Sequence, residues 1–367
     1  MIKEGVALLL RGAMRQVGRV GPARQALHHL SVLTRGAGVA FLRCRRVVPD
    51  TPRGQAHPDR LRGSATTPEE LHAALSALKK TLTFVHLGEA LAALKRGMRL
   101  ERGLAVLTFD ESFAATAELC LPVCRASSVP ATIFVTTGHL DEDTTLWDAH
   151  VHTVVATISP RPLQVSFVDR VLSTTTAAER LSAAHRLLLS LASLDEVELH
   201  RRLDELDALC GGRPAVKSLD RMLTSAELAR LCRDPLISVG AHGHGHLALA
   251  SASDAALQDE LVRPRERLQA LCKSSFLDVV SYPFGRPPYV DERVIKAARA
   301  AGYQAAFTAL PGVARPGDHL FQLPRLAITS TSTGVHAHEL AGTLAALDEL
   351  LLIASGERER VDAAPEG

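Results

Sequence analysis

Leu104-Ala-Val-Leu-Thr-Phe109 is an apolar run that ends on two adjacent carboxylates, Asp110 and Glu111. A run without apolar–polar alternation fits a strand buried on both faces, the condition of a parallel sheet. Ala114–Ser127 follows with helical character, and Val129-Pro-Ala-Thr-Ile-Phe-Val135 is the next buried run. The same order recurs later: a strand at Ile237–Val239, a helix over Asp254–Leu271, a strand at Val279–Tyr282 and a helix over Asp291–Ala301 stopped by Gly302. Tyr303–Phe307 and Leu323–Ile328 supply the last strands. Crossovers between parallel strands are right-handed, so this order restricts the chain to an α/β architecture. Groups at the C-terminal strand ends then converge on one rim.

Elsewhere the chain is read more coarsely. Val39–Leu42 is a first strand, Pro49–Pro68 a long loop, and Thr67-Pro68-Glu69-Glu70 a helix start with a capping Thr, Pro at the first position and acids in the first turn. Ser166–Leu209 is nearly all helical and ends at Gly211-Gly212, which marks it as an insertion and not a separate domain. The expected organisation is an N-terminal helical segment over 1–38, a barrel over 39–345 with its insertion at about 166–212, and a charged C-terminal end over 346–367.

With 367 residues the chain can bury a substantial core, and a net charge of +2 offers no argument for a nucleic-acid partner. Arg43, Arg45, Arg46, Arg53, Arg60 and Arg62 read as a solvated basic face, with an anionic substrate or surface as the alternative. Six cysteines form no CxxC pair; Cys120 and Cys124 read as small buried thiols, and a reducing, cytoplasmic setting is expected. The apolar stretch near Met1 is too short for a transmembrane segment. Lys3, Arg11, Arg15 and Arg19 among its leucines leave weak membrane-surface contact as a minor alternative.

Gly240-Ala-His242-Gly-His244-Gly-His246 follows a strand as the carboxylates do. His242 and His246 stand at i, i+4, which puts two rings on one side of a helical turn, and the glycines permit a tight approach. His244 is the alternative ligand. Two carboxylates and two histidines are the minimum set for metal-assisted hydrolysis with a separate base. Taken alone, Asp110-Glu111-Ser112 equally suits the cap of the helix that follows.

These residues resemble the polysaccharide deacetylase family, also called the NodB-homology domain or carbohydrate esterase family four. Thr108-Phe109-Asp110-Glu111-Ser112 is similar to its first motif, and Val129-Pro-Ala-Thr-Ile-Phe-Val135 to its next strand. Ala241-His242 with His246 fits the second motif, and Tyr282-Pro283-Phe284-Gly285 the third. Leu323-Pro324-Arg325-Leu326 and Leu146-Trp147-Asp148 resemble two further segments, so the likeness runs over about residues 39–330. The resemblance implies a distorted (β/α)₇ barrel that removes N-acetyl groups from the amino sugars of a glycan. In that reading Asp110 is the general base acting on metal-bound water, and Glu111, His242 and His246 hold a divalent metal ion, zinc first. The Phe284 N–H would face the oxyanion, and Tyr282, Trp147 and Arg325 would line the substrate pocket, with plain core packing the alternative for Tyr282 and Trp147.

The departures are specific. Glu111 replaces the family's Asp and is one methylene longer, and Ser112 replaces glycine. The family's early Tyr-His pair falls at Cys44-Arg45, so its contribution is missing. The late histidine acid has only His336 and His338 as nearby candidates. A barrel that binds a glycan or partner without catalysis, and an O-acetyl esterase using the same site, are the alternatives.

Overall fold

A computed structural model describes residues 38–61, 64–97, 103–209, 211–216 and 218–328. The expected N-terminal helix with its membrane contact, His336, His338 and the 346–367 tail lie outside the described residues.

The described chain opens on β1 (Val39–Cys44), and a small parallel pair, β2 (Arg46–Val47) with β3 (Ala65–Thr66), flanks the segment expected as a long loop at Pro49–Pro68, which instead holds two four-residue helices over Pro52–Gln55 and Pro58–Leu61. Helix α1 (Pro68–Leu78) starts where the sequence reading placed it: Thr67 and Glu70 form a reciprocal capping box and Pro68 takes the first position. Then come β4 (Thr83–Phe84), α2 (Leu87–Arg96), β5 (Leu104–Asp110), α3 (Ala114–Ser127) and β6 (Ala131–Val135). The helices α4 (Trp147–Thr157), α5 (Ala177–Leu191), α6 (Glu196–Leu209) and α7 (Ser225–Leu231) precede β7 (Ile237–Ala241). The end of the described chain alternates again through α8 (Asp254–Cys272), β8 (Phe276–Ser281), α9 (Glu292–Ala300), β9 (Ala305–Phe307) and β10 (Leu326–Ala327).

The main sheet runs β10-β1-β5-β6-β7-β8-β9, every pairing is parallel, and β4 adds to the start of β5. Its two ends approach through one segment. The Ala306 N–H donates to Leu320 O at 2.8 Å and Leu323 N–H to Ala306 O at 3.0 Å, after which the same segment continues into β10 and pairs with β1. The sheet is thus curled into the distorted α/β barrel the sequence implies. All seven residues of β5 are buried, the structural cause of its unbroken apolar run.

Alternation across the strands separates two apolar regions. Phe41, Val106, Phe134, Val279 and Phe307 point into the barrel, where the Phe307 ring lies 4.9 Å from Phe41 and 5.4 Å from Phe134. Gly240 faces the same space: a Cβ there would lie 2.7 Å from the Phe134 ring, so the histidine-bearing strand needs glycine at this point. The other faces bury Leu, Val and Ala against the surrounding helices.

In the segment expected as a helical insertion, residues 166–176 are not helical; Leu163 and Leu172 instead form an isolated antiparallel bridge before α5 begins. Helix α5 buries Ala183, Ala184, Leu187 and Leu191. That turns His185, Leu188 and Leu189 toward the cleft described below. Ser253 and Ser251 fasten this region to the loop after the histidines, through Glu196 and the Ala192 carbonyl.

Two readings of composition change. Cys232 and Cys272, 40 residues apart, form a disulfide that ties the ends of α7 and α8, whereas Cys44, Cys120 and Cys124 are buried free thiols. The basic face is also not solvated throughout. Arg46 is 1% exposed and Arg45 faces inward, because acids distant in sequence (Asp59, Asp148 and Asp220) meet them there.

Candidate active site

The C-terminal ends of β1, β5, β7 and β8 open on one cleft of about 490 Å³ that contains Arg43, Arg45, Asp110, Glu111, His242, His246, Tyr282 and Phe284. Parallel strands place these ends on the same rim, which is why residues 130 positions apart meet.

Asp110 ends β5 and is buried. Its two oxygens receive a fork from Arg325, with Nη1 to Oδ1 at 2.6 Å and Nη2 to Oδ2 at 2.8 Å, and Ser281 Oγ donates to Oδ1 at 3.3 Å. Burial alone would raise this carboxyl, but the Arg325 guanidinium, His242 and Arg43 hold it well below the usual carboxylate range. Asp110 therefore stays ionised, with Oδ2 the less engaged oxygen.

Glu111 follows at φ 65, a left-handed conformation uncommon for a residue with a Cβ. The turn swings its side chain into the cleft, where Arg45 Nε donates to Oε1 at 2.8 Å. Oε2 is buried and has no hydrogen-bond partner among the described residues. Burial raises the Glu111 carboxyl, outweighing Arg45. The capping alternative fails: Phe113 is the N-cap and makes no side-chain cap bond, Ala114 N–H donates to Arg221 O at 2.9 Å, and Ser112 Oγ donates to Thr136 O at 3.2 Å.

The histidine loop is not a helical turn. Gly243 at φ 76 and His246 at φ 60 bend it so that the His242 and His246 rings converge, with centroids 5.1 Å apart. His242 Nδ1–H donates to Ser281 O at 2.7 Å, which points Nε2 into the cleft, and burial lowers this imidazole to about 3. His246 Nδ1 faces Asp148 Oδ1 at 3.5 Å while Nε2 lies 3.7 Å from Glu111 Oε1. Burial would lower His246, but Asp148 and then Glu111 raise it on balance. His244 turns away and pairs with Thr137 Oγ1 at 3.0 Å.

One ligand atom each from Glu111, His242 and His246 can be chosen so that all lie within 4.8 Å of one another. That set, with an orphaned carboxylate oxygen among it, fits a divalent ion, and two imidazoles with one carboxylate suit zinc. His246→Ala should abolish stoichiometric zinc binding in a calorimetric titration, while His244→Ala should leave the stoichiometry unchanged. Zinc lost in both would place the site elsewhere in the loop.

Glu260 on α8, which spacing gave no reason to single out, supports this loop. Its buried carboxylate accepts the backbone N–H groups of Gly245 at 2.5 Å, His244 at 3.1 Å and Leu247 at 3.3 Å. Removing it would leave three backbone donors unpaired, that of Leu247 fully buried. Glu260→Ala is expected to cost about 3 kcal/mol or more, measured by urea unfolding, and to weaken zinc binding; stability within error of the parent would refute the role.

The other expected substrate contacts divide. Phe284, at φ 60, sits in a three-residue turn closed by the Gly285 N–H bond to Pro283 O at 2.7 Å, and it lines the cleft. Tyr282 offers its ring to the cleft but its hydroxyl donates to Phe321 O at 3.2 Å. Trp147 is not among the cleft-lining residues; its indole N–H holds the His246 carbonyl at 2.9 Å. Arg325 lines the cleft, yet its donors go to Asp110, Ser281, Thr108 and Thr308, so it positions the acid and has none left for a substrate.

Arg45, expected to leave a gap, fills one. Its guanidinium donates to Glu111, to Asp59 at 2.9 Å and to Asp148, joining both carboxylates that border His246. Asp148 lies well below its usual range despite burial, with Arg45 and His246 the causes. A larger cavity, about 970 Å³, opens at the other ends of β7 and β8 around Cys232 and Cys272. It contains none of these groups.

Residues 195–306 match the family model described as polysaccharide deacetylase. That segment holds His242, His246 and Phe284, whereas Asp110 and Glu111 precede it. Several solved structures share the fold. The Streptococcus pyogenes deacetylase PplD in complex with acetate has a TM-score of 0.53 at 14% identity, over 83% of this chain and 99% of that one. IcaB from Ammonifex degensii has a TM-score of 0.52 at 15% identity, over 84% and 98%. BC0361, a polysaccharide deacetylase from Bacillus cereus, has a TM-score of 0.51 at 14% identity, over 83% and 69%. No curated protein matches the chain in sequence.

Proposed function

We propose that this chain, which carries a polysaccharide deacetylase domain, removes acetyl groups from the amino sugars of a glycan with the help of one divalent ion. The observation that carries the reading is the juxtaposition of an ionised Asp110 with the Glu111, His242 and His246 set in one cleft. When held by those three residues, zinc supplies Lewis-acid chemistry at an acyl oxygen.

The chain's own residues divide the remaining work. Asp110 Oδ2 takes the proton of water attacking the acyl carbon, and a proton passes to the sugar nitrogen as the carbon–nitrogen bond breaks, releasing acetate and the free amine. Arg325 keeps Asp110 ionised and aimed, at the expense of basicity. The Phe284 N–H faces the developing oxyanion. Ser281 links the two halves, since its carbonyl fixes His242 and its hydroxyl reaches Asp110. Arg45 holds Glu111 Oε1 and leaves Oε2 for the ion.

One observation favours a second reading, a barrel that binds glycan without hydrolysis: both Asp110 oxygens are already bonded to Arg325. Acetate release from N-acetylated and O-acetylated oligosaccharides separates the readings. Release from the amide supports the proposal, release from the ester alone makes the protein an esterase, and tight glycan binding with no release supports the second.

A further inference from the structure

The cleft is lined by four arginines, Arg43, Arg45, Arg286 and Arg325, and by three acids, Asp110, Glu111 and Asp148. The acids are all matched by two of the arginines. Asp110 is bonded to Arg325, and Glu111 and Asp148 are bonded to Arg45. Arg43 and Arg286 donate none of these bonds, although Arg43 Nη1 forms a longer ion pair with Asp110 Oδ2. Among the described residues neither guanidinium makes a hydrogen bond. The nearest carboxylate oxygen to Arg43 is Asp110 Oδ2, at 3.7 Å, and its side chain is only 25% exposed. Arg286 stands exposed at the mouth, next to Pro287, Pro288 and Tyr289, with Leu188 and Leu189 of α5 also lining the cleft.

We propose that the glycan acted on here carries an anionic group, phosphate or carboxylate, that seats on Arg43 and Arg286. The inference rests on the reading of this cleft as a deacetylase site. A neutral sugar makes little use of two guanidinium forks whose donors are unfilled, whereas an oxyanion matches such paired donors. Arg43 adds to the charge that keeps Asp110 ionised, but at 3.7 Å it donates no hydrogen bond there, whereas Arg325 fills both oxygens, so the Arg43 donors stay open. The three acids of the cleft are all paired with arginine, and the positive charge that lines it favours an anion. The proline–tyrosine edge gives an apolar surface for the sugar ring beside the charge.

Three acetylated amino-sugar oligosaccharides of equal length test this: one neutral, one with a terminal phosphate, one with a uronic acid unit. With full-length, zinc-loaded protein, kcat/KM for acetate release is expected to favour one charged glycan over the neutral one by about tenfold or more. That preference should shrink with salt and fall to near parity in Arg286→Ala. The charged glycan preferred names the group as phosphate or carboxylate. Equal rates for all three, or a preference that survives Arg286→Ala, overturn the inference and leave the deacetylase reading standing. If no glycan releases acetate, calorimetry of the same three with metal-stripped protein decides. Tighter binding of a charged glycan that is lost in Arg286→Ala supports the anion site while the deacetylase reading fails; no such difference overturns both.

Discussion

Asp110→Asn is expected to lower kcat by about 10²- to 10⁴-fold, the usual contribution of a positioned general base. The substitution is close to isosteric, so the cleft keeps its shape, and Glu111, His242 and His246 keep their places. Zinc should therefore bind at the same stoichiometry. Neutralising Asp110 also leaves Arg325 buried without its counter-ion, so the variant should melt earlier than the parent. That second effect is separable, because activity is read at a temperature where both proteins are folded. Turnover within a few-fold of the parent would remove Asp110 from the mechanism and leave its pairing with Arg325 as a purely structural contact.

The largest effect on stability is expected at Arg45. Its guanidinium is the shared partner of Glu111, Asp59 and Asp148. Arg46 Nε also reaches Asp59, at 2.8 Å, so Glu111 and Asp148 are the carboxylates left with least compensation. Arg45→Met should destabilise the metal-free protein by about 3–5 kcal/mol, the typical result of removing one side of a buried ion pair. A divalent cation held by Glu111 restores positive charge at the same place, and a ligand that binds only the native state raises its stability. Zinc should therefore raise the melting temperature of Arg45→Met by more than it raises that of the parent. Differential scanning calorimetry with and without zinc checks both parts. An unchanged melting temperature, or the same zinc effect in both proteins, would make Arg45 a spectator.

Much of the barrel was legible because its strands are simple. A strand buried on both faces, such as β5, cannot alternate, and α1 carries a full set of start signals in Thr67, Pro68 and Glu70. The convergence of Asp110 with His242 followed from topology, since parallel strand ends share a rim. The histidine pair was found for an incomplete reason: i, i+4 spacing suggested a helical turn, but the rings meet because left-handed residues fold the loop and Glu260 clamps it. The arginines show a general limit. Whether Arg45 is solvated or buried depends on Asp59 and Asp148, 14 and 103 positions away, and pairing at that range leaves no local pattern. Arg325 shows the same limit, because its motif located it correctly while only its hydrogen bonds reveal that it serves Asp110.

The central claim is that Asp110, Glu111, His242 and His246 form one metal-assisted hydrolytic site. It is tested most directly by titrating zinc into metal-stripped protein while following acetate release from the acetylated oligosaccharides. Release should rise with added zinc, saturate near one equivalent, and be absent at every zinc level in His246→Ala. Release that persists without metal, or zinc bound at one equivalent with no acetate from any glycan, would contradict the account.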